Sequence, residues 1–206
     1  MTASDVADGA ERVGVLGGTF DPPHLGHLAV AQDILEALSL DRVILVPAAR
    51  PPHKGEEGLT PAPLRARMVR AAVEDDPRFE VSDLELRREG PSYMVDTLEA
   101  LRDHYPDTRF YLILGADQWA AFATWNKPRR IAQLARIVVM TRNGESPAGI
   151  DPGFTDGPPP EIIEVPVTRL DVSSTQLRER LAGGRSIRYL VPAEVHRIIE
   201  AGKLYS

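Results

Sequence analysis

The chain has 206 residues, of which 43% are apolar and 26% charged, with no cysteine and a formal net charge of −6. That length can bury a full core and most simply folds as one domain, and the missing cysteines exclude disulfides and thiolate metal sites. The negative balance argues against a broad nucleic-acid footprint, but not against a small phosphate ligand, which needs only a local positive site.

The opening residues MTASDVADGAER contain no apolar targeting segment, and no apolar run is long enough to span a bilayer. The expectation is a soluble, cytoplasmic protein with a polar lead-in over residues 1–10 and one domain over 11–206. Val13 to Leu16 is a short apolar run that stops at Gly17-Gly18, which reads as a buried strand ending in a turn. Leu28, Ala31, Leu35 and Leu38 then recur at spacings of three and four, so a helix begins near Gly26. A loop between strand and helix gathers unpaired backbone N–H groups and the positive end of the helix dipole, and phosphate is the ligand that suits it. His24 and His27, three positions apart where the helix starts, fall on one side of it, beside the same phosphate. The glycines match neither GxGxxG nor GxxxxGKS, so neither the dinucleotide fingerprint nor the P-loop is supported.

Arg42 to Val46 is the second strand, ended by Pro47, and the strand-helix-strand alternation predicts a parallel sheet. Ala48 to Thr60 is a loop in which the prolines of Arg50-Pro51-Pro52-His53-Lys54 stiffen a basic pair able to close on an anion. A helix opens at Pro61 and Pro63, with Leu64, Met68 and Ala71 or Ala72 on one face, and Asp76-Pro77 ends it. Phe79 to Leu86 alternates apolar and polar residues as a half-exposed strand or extended segment does. Ser92 is the expected N-cap of a helix carrying Val95, Leu98 and Leu101, which closes before Pro106.

Arg109 to Leu114 reads as the central strand, ending at Gly115-Ala116-Asp117 in a second strand-to-helix turn. Gln118 to Trp125 and Pro128 to Ala135 read as short helical pieces, and Arg136 to Thr141 as a strand. Arg142 to Pro160 is a Gly/Pro/Asp-rich loop, expected to be mobile or variable, before a last strand over Glu161 to Val165. Helices over Ser174 to Leu181 and Pro192 to Ala201, the latter with Gly202 as C-cap, complete the chain. About six strands alternating with helices predict an α/β, Rossmann-like doubly wound sheet, mainly parallel, with helices on both faces. Ligands in such sheets sit at the carboxyl ends of strands, where Gly17, the Pro47 loop, Gly115 and the segment Leu170 to Ser174 all fall.

The segment VSSTQLR, Val172 to Arg178, carries a second phosphate-type signal. Ser173 would cap the helix, leaving Ser174, Thr175 and the first-turn N–H groups as phosphate donors. Arg178 lies four residues past Ser174 on the same helix face, where its fork can bind phosphate oxygens bidentately.

GGTFDPPHLGH, Gly17 to His27, resembles the signature of the HxGH nucleotidylyltransferases, and its opening GGTFDPPH is most similar to the nicotinate-nucleotide adenylyltransferases. SSTQLR resembles the SSTxxR motif that accompanies HxGH in that family, and PPHK resembles the loop of the nicotinate-nucleotide enzymes, which implies Lys54 at the phosphate of the acceptor mononucleotide or at the ATP tail. Gly115 and Asp117, with Trp125 eight residues on, resemble its GxD...W arrangement, whereas Trp119 is out of that spacing and reads as packing. PSYMVDTL resembles its PSYT-x-x-T segment beside the nicotinate ring, departing from it by Met94 in place of the usual Thr. The resemblance implies transfer of an adenylyl group from ATP to nicotinate mononucleotide, giving nicotinate adenine dinucleotide and pyrophosphate in NAD biosynthesis. It places ATP against Gly17, Gly18, Thr19, Phe20, His24, His27, Ser173, Ser174, Thr175 and Arg178, and the mononucleotide against Lys54, Tyr93, Met94, Gly115, Asp117 and Trp125. His24, His27, Lys54 and Arg178 are the implied catalytic set, with Mg2+ riding on the triphosphate rather than on protein ligands. Two other readings stay open: another HxGH enzyme of the phosphopantetheine adenylyltransferase kind, and a regulator that binds nucleotide without turning it over.

Overall fold

The computed structural model describes residues 9–52, 58–141 and 149–205. Lys54 and His53, most of the polar lead-in and the first half of the 142–160 loop lie outside the described residues.

Six strands form one sheet: β1 (Glu11–Gly18), β2 (Arg42–Pro47), β3 (Phe79–Val81), β4 (Thr108–Leu114), β5 (Arg136–Thr141) and β6 (Ile162–Pro166), in the order β3-β2-β1-β4-β5-β6. Every pairing is parallel, and β1 is shared by both halves, running from Val13↔Arg42 to Gly18↔Pro47 on one side and from Glu11↔Thr108 to Val15↔Leu112 on the other. The strand order reverses between β1 and β4, which opens a crevice at their carboxyl ends. The helices are α1 (Leu25–Ala37), α2 (Ala62–Val73), α3 (Leu84–Arg87), α4 (Met94–His104), α5 (Ala116–Ala120), α6 (Pro128–Leu134), α7 (Ser174–Ala182) and α8 (Ala193–Gly202) among the described residues, with a 3-10 turn over Phe122–Thr124.

Because the central strands are apolar on both faces, each face takes its own helical layer. On one face Val13, Val15, Ile44, Val46, Leu112 and Leu114 pack against Val95, Leu98 and Leu101 of α4, Phe122, and Ile131 of α6. On the other, Leu16, Val43, Leu45 and Ile113 pack against Val30, Ala31, Ile34 and Leu35 of α1 and Val69 of α2. A third, smaller cluster joins Met68 of α2 to Leu177 of α7 and to Val195 and Ile199 of α8, and so fastens the last two helices beside α2.

Four local expectations are corrected. Phe79–Leu86 is not one extended piece: β3 stops at Val81, and the chain turns through Ser82 and Asp83 into α3, where Leu86 N and Arg87 N donate to the Asp83 carbonyl. Tyr93, not Ser92, occupies the N-cap of α4, because Ser92 is tied to the loop after β2, donating from its N–H to Arg50 O (2.9 Å) and accepting from Arg50 N at Oγ (3.1 Å). The inward face of α2 is Arg65, Ala66, Met68, Val69 and Val73, with Leu64 only half-buried. Helix α8 runs through Gly202, and Lys203 takes the left-handed capping conformation at φ 47°.

The described second half of the 142–160 loop is bound down rather than loose. Arg129 of α6 pairs with Asp156 (2.7 Å), donates to the carbonyl of Pro158 and stacks on Phe154, whose ring lies beside Phe122.

Candidate functional site

Strand β1 ends at Gly18, and the chain then crosses to α1 through Thr19–His24 along the open crevice. Phe20 takes φ +50°, which turns its ring back into the core under Gly18, where a Cβ would stand 2.8 Å from the ring. His24 is the N-cap of α1 and only 6% exposed. Its imidazole stacks on that of His27 at 3.7 Å between centroids, and Phe20 meets His27 edge-on at 4.9 Å. Gly26 lets this pair sit close to the incoming α7 segment, since a Cβ there would lie 3.1 Å from both the His24 ring and Val172.

The backbone N–H of His24 donates to His27 Nδ1 at 3.2 Å. That nitrogen must carry a lone pair, so the His27 proton resides on Nε2 and makes it a hydrogen-bond donor. Burial lowers the His24 pKa to about 4, so this imidazole is neutral at pH 7. Its Nδ1 is buried and has no hydrogen-bond partner among the described residues.

Helix α7 approaches the same loop from the far end of the chain. Ser173 caps it, accepting from Gln176 N (3.3 Å) while its own N–H donates to Gln176 Oε1 (3.0 Å). Ser174 Oγ donates to the carbonyl of Pro22 (2.9 Å), and Arg178 Nη1 donates to the carbonyl of Asp21 (2.7 Å), with Nη2 3.4 Å from Thr175 Oγ1. The Ser174 hydroxyl proton is thus engaged with the loop rather than free for a phosphate. Thr19, Phe20, His24, His27, Ser173, Ser174, Thr175 and Arg178 all line one cavity of about 460 Å³, together with Val30, Met140, Thr168, Leu170 and Val172. Gly17 and Gly18 form the strand end behind it and are not among its lining residues.

Tyr93, Met94, Gly115, Asp117 and Trp125 do not line that cavity. Gly115 follows β4, Asp117 is exposed in the first turn of α5, and Tyr93, Met94 and Trp125 pack on the α4 side of the sheet. Trp125 is half-buried beside Phe122 at 5.5 Å, and Trp119 is buried in the core, as its spacing suggested. The two groups meet at β1, where the Met94 methyl lies 2.7 Å from where a Gly17 Cβ would be.

Asp21, inside the first motif but given no role there, and Arg65 and Tyr205, which no motif marked, shape the loop. Asp21, 1% exposed, accepts at its carboxylate from Thr60 N (3.2 Å) and from the Tyr205 hydroxyl (2.5 Å). Arg65, 1% exposed, donates to the carbonyls of Thr19 (2.6 Å), Ala49 (3.2 Å) and Thr60 (2.8 Å), tying the loops after β1 and β2 to the start of α2. An arginine inside the apolar stripe of α2 was the only sequence sign of this arrangement, and Tyr205 gave none.

The family model described as "Cytidylyltransferase-like" matches residues 15–180. A protein of Roseiflexus sp. (strain RS-1) named "Probable nicotinate-nucleotide adenylyltransferase" is 47% identical over 197 residues, covering 94% of this chain and 97% of the relative. One of the same name from Shouchella clausii (strain KSM-K16) is 42% identical over 195 residues, covering 95% and 97%. Among solved structures, a Plasmodium falciparum nicotinic acid mononucleotide adenylyltransferase complexed with NaAD superposes with a TM-score of 0.76 at 18% identity, covering 95% of this chain and 97% of that one, a likeness of fold.

Proposed function

The chain belongs to the cytidylyltransferase-like family and, within it, to the nicotinate-nucleotide adenylyltransferases, and on that premise we propose that it joins ATP to nicotinate mononucleotide through the residues gathered at the β1 crevice. An oxygen of the mononucleotide 5′-phosphate attacks the α-phosphorus of ATP, the bond from that phosphorus to the bridging oxygen breaks, and pyrophosphate leaves. The attacking phosphate is already ionised near pH 7, since the second pKa of a phosphate monoester is about 6. No side-chain nucleophile is needed. The protein's work is to align two anions and to stabilise the charge that builds on the α-phosphate and the departing pyrophosphate.

The observation that carries this reading is that His24 and His27 line one cavity with Arg178, from the other end of the chain. In the proposal His27 Nε2–H and the His24 imidazole meet the α- and β-phosphates, while Arg178 and the first-turn N–H groups of α7 take the β- and γ-phosphates. The acceptor lies across β1, with its pyridine on Trp125, its ribose on Asp117 and its ring carboxylate at the backbone N–H of Met94. That N–H needs no hydroxyl side chain, so Met94 in place of Thr keeps the contact. Lys54 is assigned to a phosphate of either substrate from its motif alone. Mg2+ enters bound to the triphosphate as part of the substrate.

Purified protein given ATP, Mg2+ and nicotinate mononucleotide is expected to release pyrophosphate continuously, and to do so more slowly with nicotinamide mononucleotide and not with phosphopantetheine. Turnover with phosphopantetheine in place of the pyridine nucleotides would overturn the substrate assignment, and ATP binding without turnover on any acceptor would favour a regulator.

A further inference from the structure

Three carbonyls and the carboxylate of the Thr19–His24 loop are engaged by side chains from elsewhere. Arg65 takes Thr19 O, Arg178 takes Asp21 O, and Ser174 takes Pro22 O. The Asp21 carboxylate is the remaining anchor, and the hydroxyl that meets it, at 2.5 Å, comes from Tyr205 near the end of the sequence. Tyr205 reaches it because α8 is fastened to α2 through Met68, Val195 and Ile199, and because Lys203 and Tyr205 adopt positive φ (47° and 67°), which folds the tail back towards the loop. Two positive-φ residues within three positions are conformationally costly for side-chain-bearing residues, and their persistence calls for compensating contacts.

We infer that Tyr205 is a positioning residue for ATP: by holding the buried Asp21 carboxylate, it fixes the loop whose main chain supports Arg178 and leads directly into His24. The inference rests on the adenylyl-transfer reading for its substrate and on the hydrogen bonds for its mechanism. Burial and the adjacent Asp21 hold the Tyr205 phenol above its ordinary range, so it remains a proton donor throughout the working pH range. Without the hydroxyl, the carboxylate keeps only Thr60 N as a hydrogen-bond donor among the described residues, and a buried charge short of donors draws the loop towards solvent. The Asp21 carbonyl and the His24 ring move with it.

The test compares wild type with Tyr205→Phe. KM for ATP is expected to rise about tenfold, the loss of one hydrogen bond to a charged group, while KM for nicotinate mononucleotide changes less than about twofold. ATP affinity measured by calorimetry without acceptor is expected to fall by the same factor. A merely structural hydroxyl would lower the melting temperature and leave the ATP parameters of the folded fraction at wild-type values, and that result would overturn the inference. Equal losses for ATP and the mononucleotide would overturn it too. Should Tyr205→Phe not fold, Tyr205→Phe with Asp21→Asn removes the underpartnered buried charge, and its ATP affinity is expected to match that of Asp21→Asn alone, because the hydroxyl acts only through that carboxylate; a further loss in the double variant would overturn the inference. A wild type that binds ATP without turning it over counts against the proposed reaction alone, because the calorimetric comparison still reads the Tyr205 contact; a wild type that does not bind ATP overturns both.

Discussion

His24 and His27 share a motif but differ in state. His24 is buried and neutral, with one nitrogen lacking a partner, whereas His27 accepts a backbone N–H at Nδ1, which places its proton on Nε2. His27→Ala is expected to lower kcat by at least about a hundredfold, the scale of losing one preorganised donor to transition-state charge, and steady-state pyrophosphate release checks it; turnover near wild type would remove that role. The depressed His24 pKa also makes stability depend on pH. Its folded value of about 4 lies below the ordinary 6.5, so on acidification the unfolded chain takes up the proton first. The stabilisation is whole above about pH 6.5 and is lost as pH falls towards 4, by about 2 kcal/mol between pH 7 and 4.5. Urea midpoints at the two pH values should therefore differ less in His24→Asn, whose side chain suits an N-cap position but cannot titrate.

At the scale of elements, α2 is more than a surface helix, because Arg65 binds three carbonyls, that of Thr19 after β1 and those of Ala49 and Thr60 at the two ends of the connection after β2. Arg65→Lys preserves charge but lacks the planar fork needed to reach all three. It is expected to cost about 2 kcal/mol, lowering the melting temperature by about 4–8 °C, as scanning calorimetry would show. Which elements were legible from sequence follows from how local their causes are. Strands β1, β2, β4 and β5 announce themselves because burial on both faces demands continuous apolar runs. Phe79–Leu86 misled because β3 is only three residues long, so alternation that suits an edge strand continues into the single turn of α3. Ser92 misled because its cap-like hydroxyl is engaged by Arg50, across a tertiary contact that no local pattern encodes.

At the scale of the molecule, the strand reversal between β1 and β4 divides the candidate site into two sides that meet at Gly17 and Met94. Substitutions on the two sides should therefore separate kinetically. Arg178→Ala is expected to raise KM for ATP by at least about tenfold with little change for the mononucleotide, and Trp125→Ala to do the reverse, each through about 1.5 kcal/mol or more of lost contact. Initial-rate kinetics with each substrate varied in turn would show it, and parallel changes in both KM values would contradict the division. The cavity that gathers His24, His27 and Arg178 was legible in the sequence because its residues sit in two compact motifs, one at a strand exit and one at a helix start. The contact that braces it was not: Asp21, inside the first motif, and Tyr205 lie 184 positions apart and meet only after α8 has docked.

The contact between Arg178 and the carbonyl of Asp21 bears on how an anion would be received. A guanidinium moored to a carboxylate must surrender a charged partner before it can greet a newcomer. One resting on a neutral main-chain oxygen keeps its full attraction for a distant triphosphate, and is already aimed by the interaction it gives up. Capture should then be fast and sensitive to ionic strength, with the guanidinium's rearrangement confined to exchanging one oxygen for another.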